Sequence, residues 1–147
     1  MTRRSLKISV TIGYLLLLLC VVILNPLRFE HIVPLGSRLR IHPFVDSLND
    51  ISYARGSSWF IHWFNFLGNI FGNIALFIPV SFIAILVFRM QQFWMVVLMA
   101  CILSLIIETV QYCTGLGVAD VDDVILNTAG AAIGFYICKR AYSFLSE

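Results

Sequence analysis

Charge is what this sequence has least of. Lysine, arginine, aspartate and glutamate make up 12% of its 147 residues, about half the share of an ordinary soluble domain. With 60% apolar residues and a mean hydropathy of +0.92, a folded chain would have too little polar surface to face water, so the bilayer is its natural solvent. The net charge is +2 and no basic block is interleaved with aromatics, which excludes a nucleic-acid binder. Cys20, Cys101, Cys113 and Cys138 lie in or at the ends of apolar runs and form no CxxC pair. That excludes a zinc ribbon or a disulfide framework and reads as four small buried hydrophobes. His31, His42 and His62 lack metal-ligand spacing, so neither a metal nor a cofactor is expected.

What the chain has instead is long apolar runs. Four candidate spans cover residues 8–27, 66–88, 93–113 and 121–138, each near the roughly 20 residues a helix needs to cross the hydrocarbon core. The expected fold is an all-α membrane protein, a small bundle of about four transmembrane helices forming a single domain over residues 1–147, with one long outer loop at 25–65. The first run is Leu-rich, and no small-residue cleavage site follows it, so an uncleaved anchor is expected rather than a signal peptide. Arg3, Arg4, Lys7, Arg89, Lys139 and Arg140 crowd the short segments on one side of the spans, which places both termini in the cytoplasm. Trp59, Phe60, Trp63 and Phe64 read as an aromatic belt where the chain re-enters the membrane.

Polar residues inside these runs carry the functional signal. Asn65, Asn69 and Asn73 recur at helical spacing and share one face of the second run, beside Gly68 and Gly72 in a GxxxG. Pro79 further along should kink that helix. Ser104, Glu108 and Gln111 share a face of the third run. A carboxylate there costs about 2.5–3.5 kcal/mol on insertion scales, so it needs a partner or a wet cavity. A fourth run opens with Asp120 as N-cap and Asp122 favouring the positive helix end. Its next turns align Asp123 and Asn127 with Gly130 and Gly134, a second GxxxG. Asn69, Asn73, Glu108, Gln111, Asp123 and Asn127 are thereby expected to form one polar cluster near the outer face, with Gly68, Gly72, Gly130 and Gly134 packing the helices. The bland alternative is hydrogen-bonding glue between helices.

These elements resemble the VanZ-like family of bacterial membrane proteins. The resemblance rests on Gly68-Asn69 through Asn73 to Phe77-Ile78-Pro79, then Ser104 to Glu108 and Gln111, then Asp120-Val121-Asp122-Asp123 with Asn127-Thr128-Ala129-Gly130. It covers about the second half of the chain. Gly117 stands where the family has an arginine, and Val80 and Ser81 where it has glycine. The resemblance implies a role at the bacterial cell envelope that bears on antibiotic resistance, namely susceptibility to the glycopeptide teicoplanin. The leading expectation is a non-enzymatic protein binding a membrane lipid or cell-wall precursor headgroup, possible also as a homo-oligomer. The alternatives are an intramembrane enzyme with Glu108 and Asp123 as acid and base, or a transporter subunit. No Gly-rich phosphate loop, activated nucleophile or histidine within a span favours the enzyme.

Overall fold

The computed structural model describes residues 3–22, 32–45, 48–49 and 58–145, and within them four helices carry almost everything. Helix α1 is Arg3–Val22, α2 Ser58–Leu86, α3 Phe93–Thr114 and α4 Val121–Leu145. Three are long and apolar enough to cross a membrane: Trp59–Leu86, Phe93–Thr114 and Val121–Ala141. In α1 the apolar stretch is shorter, Ser5–Val21. The expected continuation to Leu27, His31, and much of the 25–65 segment lie outside the described residues.

Two boundaries differ from the sequence reading. Helix α2 begins at Ser58, not near residue 66, so the aromatic belt is its first two turns rather than a loop. The Trp59 and Trp63 rings meet tilted at 59°, their centroids 6.0 Å apart, and Trp63 meets Phe66 edge-on at 5.8 Å. At 1.5 Å per residue α2 is about 43 Å long, well beyond a hydrocarbon core of about 30 Å, which is why hydropathy alone trims it. The described part of the outer segment is also not structureless. It holds a 3-10 turn at Leu35–Ser37 and the strand β1, Leu39–Arg40, paired in parallel with β2, Ala119–Asp120. We call residues 32–45 the strap.

Helix α4 is the hub, packing most extensively on α2 and next on α3. Added side chains explain the closeness. A Cβ at Gly130 would collide with the Ile74 carbonyl, and one at Gly134 with that of Ile78, so α2 and α4 run parallel with backbones in contact. Buried Ser81 donates to the Ala131 carbonyl at 2.5 Å and seals the same crossing. A Cβ at Gly68 or Gly72 would meet nothing within 4 Å among the described residues. Both glycines lie on the opposite side of the asparagine stripe from α4, which the even helical spacing could not reveal.

Inside the bundle, Leu18 of α1, Phe77, Val80, Ala100, Ile107 and Ala131 form one core, and Ala84, Ile85, Val96, Phe135 and Cys138 a second. Of the four cysteines only Cys138 is buried. Cys20 and Cys113 are exposed and Cys101 is half-buried, because apolar side chains can face outward where lipid is the solvent. Leu15, Leu16 and Leu19 of α1 and Trp94, Leu98 and Ile102 of α3 do so too. Pro79 lies within α2, and the Tyr14 hydroxyl donates to the Leu76 carbonyl in the same turn. At one end of the bundle Lys7 donates to the Leu86 carbonyl (2.7 Å) and Lys139 to Gln91 (2.6 Å). The strap lies at the other.

Candidate functional site

The site is built on the turn from α3 into α4. Gly115 ends α3 in the left-handed conformation (φ 71°), its N–H donating to the Gln111 carbonyl at 2.9 Å, a position where a side chain would be strained. A few residues on, the Asp122 amide donates to Asp120 Oδ1 at 2.9 Å, so Asp120 is the N-cap of α4 as expected. Asp122 does more than favour the helix dipole. Its carboxylate accepts the Phe44 amide at 2.7 Å, tying the strap to α4 while itself 3% exposed. Phe44 has a φ of 60°, unusual for a non-glycine residue.

Hydrogen bonds gather the polar residues in three groups around the first two turns of α4. Asp123 accepts from Asn73 (2.7 Å) and Asn69 (3.0 Å), and Asn73 also donates to the Asn69 carbonyl oxygen at 3.1 Å. This joins α2 to α4. Asn127 donates to Ser104 at 2.9 Å, both buried, joining α4 to α3. Glu108 accepts the Asp120 amide at 2.9 Å and is 7% exposed. The register sets Asn127 opposite Ser104 and Asp120 opposite Glu108, so Gln111, also buried, stands roughly 4 Å above Glu108 along α3. Asn127 Oδ1 and Thr128 Oγ1 are buried without a hydrogen-bond partner among the described residues. Asn69 lies farther into its helix than the expected span start implied, because roughly 13 Å of α2 stands above the start of α4.

Sequence reasoning missed the strap's two arginines. Arg38 donates to the Val33 carbonyl (2.8 Å) and the Tyr112 carbonyl (3.1 Å), holding the strap over the end of α3. Ala119 donates to the Arg38 carbonyl at 2.7 Å, extending the strand pairing. Arg40 stands 4.0 Å from Asp120 Oδ2. A signal was present: Arg38-Leu39-Arg40-Ile41 alternates charged and apolar residues, the period of a strand.

Between strap, α3 and α4 opens a cleft of about 310 Å³. Arg40, Glu108 and Asp120 are its charged lining residues, and Leu105, Val121 and Val124 are among its largely apolar walls. Burial pushes the Asp120 carboxyl above its ordinary value of 3.8. The Asp122 amide and Arg40 oppose that rise, while the Asp122 and Asp123 charges add to it. Among the described residues no three His, Cys, Asp or Glu side chains come together as a metal-ligand set.

No curated protein and no solved structure matches the chain. The family model for VanZ/LLP1 matches residues 11–144, extending beyond the second half to take in α1 and the strap, and this membrane protein therefore belongs to the VanZ/LLP1 family.

Proposed function

We propose that this is a four-span bacterial cell-envelope protein, both termini cytoplasmic, whose outer face binds the headgroup of a membrane lipid or cell-wall precursor without chemistry. Binding there modulates how glycopeptides such as teicoplanin act at the cell surface. The observation that carries this reading is the cleft. A volume of about 310 Å³ with largely apolar walls and a cluster of charged groups suits an amphiphile better than a small polar solute. Its position supports an outer-leaflet location, since the strap end of the bundle lies opposite Lys7 and Lys139.

The hydrogen bonds of the acids favour binding over acid–base catalysis. Glu108 accepts the Asp120 amide and Asp123 accepts two asparagine amides, so both carboxylates serve as acceptors that tie chain segments together. Native mass spectrometry of the full-length protein released from its own membranes is the test. One envelope lipid retained well above its bulk share is expected. Lipid adducts that merely mirror membrane composition would count against the reading.

A further inference from the structure

Of the three charged residues that line the cleft, Arg40 is the most exposed. Glu108 is 7% exposed, and one of its oxygens holds the Asp120 amide. The Asp120 side chain is 12% exposed, whereas that of Arg40 keeps 38%. Asp120 Oδ2 stands 4.0 Å from the Arg40 guanidinium. The backbone of Arg40 pairs with Asp120 across the two strands, and the neighbouring Arg38 carbonyl accepts the Ala119 amide. The Arg40 backbone is thus held beside the cleft by main-chain pairing rather than lying in a loop.

Away from Arg40 the cleft changes character. Tyr112, Thr109 and Leu105 descend one face of α3, with Val121 and Val124 facing them from α4. Leu105 lies about 5 Å along α3 from Glu108, which is level with the Arg40–Asp120 pair, and Tyr112 lies about 6 Å the other way. Walls this apolar hold water poorly, and a free anion would leave most of them uncovered. A guanidinium presents a planar fork matched to phosphate oxygens. We infer that the cleft takes an amphiphile with an anionic phosphate head, its oxygens on Arg40 and the first part of its hydrocarbon tail along Leu105 and Val124.

This deepens the lipid-headgroup reading and rests on it. The test uses the full-length protein in detergent micelles, with palmitoyl lysophosphatidic acid, palmitoyl lysophosphatidylcholine and inorganic phosphate as probes, read by native mass spectrometry. The phosphate monoester should bind about tenfold more tightly than the choline ester. Arg40→Gln should erase that preference and Arg40→Lys restore part of it, which separates loss of charge from misfolding. Leu105→Trp, which fills the apolar wall, should weaken both lysolipids, and inorganic phosphate should not compete. If both lysolipids bind equally while Leu105→Trp still weakens both, the anion assignment falls and the lipid cleft stands. Inorganic phosphate competing as well as the lysolipid would remove the tail from the site. If neither lysolipid is retained, or Leu105→Trp changes nothing, the lipid cleft itself falls and this inference with it.

Discussion

Glu108 shows how one residue can be conspicuous in a sequence while its task is not. Its cost within a span announces a partner. That the partner is the Asp120 main-chain amide could only come from the fold. Glu108→Gln keeps an acceptor oxygen there and should leave thermal stability nearly unchanged. Glu108→Leu strands the half-buried Asp120 N–H and should cost about 1 kcal/mol or more. Melting midpoints of both variants in one detergent decide this, and equal losses would show that the carboxylate charge matters instead. Asp120, just outside the apolar stretch of α4, makes a pH prediction. Its carboxyl is held above 3.8, chiefly by burial, so the folded state binds its proton more tightly than the unfolded chain does. The contribution to stability is then greatest below the ordinary value and declines as pH rises through the raised one. Asp120→Asn keeps the cap acceptor for Asp122 but cannot ionise. Wild-type stability relative to this variant should therefore fall with rising pH above 3.8 and level off beyond the raised pKa. A pH-independent difference, measured as paired melting midpoints, would reject the assignment.

Among the helices, two GxxxG segments look alike in sequence and behave oppositely. Gly130 and Gly134 meet the backbone of α2, which cannot step aside, whereas a Cβ at Gly68 or Gly72 would meet nothing among the described residues. Gly130→Ala should destabilise the protein by about 1–3 kcal/mol through overpacking. Gly72→Ala should be neutral or slightly stabilising, since alanine is the better helix former. Thermal unfolding of the two variants side by side checks the contrast, and a reversed order would mean that α2 packs elsewhere. The strap makes a second prediction. Asp122→Ala removes the acceptor for Phe44, so limited proteolysis should cut residues 32–45 faster than in wild type. Unchanged cleavage would show that Arg38 and the strand pairing hold the strap without it.

At the scale of the whole molecule, Lys7, the end of α2, Gln91 and Lys139 share one end of the bundle and the strap the other. Reporter fusions after Arg89 and Glu147 should therefore register on the cytoplasmic side, and fusions after Ser57 and Gly115 outside. A C-terminal reporter found outside would remove one of the four crossings. Helix α1 is the one to watch, because the apolar stretch within its described residues, Ser5–Val21, is shorter than the other three.

Membrane class, family and helical architecture were legible in the sequence because each follows from local quantities. Run length and scarcity of charge dictate helices in lipid, and the spacing of Asn69, Asn73, Glu108, Asp123 and Asn127 puts them on shared faces whatever the packing. Tertiary structure alone decided which face meets which neighbour. Asp123 went to the asparagines of α2, Asn127 to Ser104, and Glu108 to a main-chain amide. It also brought Arg40, far away in the chain, beside Asp120 through a strand pair of two residues. The physical reason is that periodicity encodes direction around one helix axis, whereas pairing depends on the register and rotation of two axes. Those are set by where backbones can touch, here at Gly130 and Gly134.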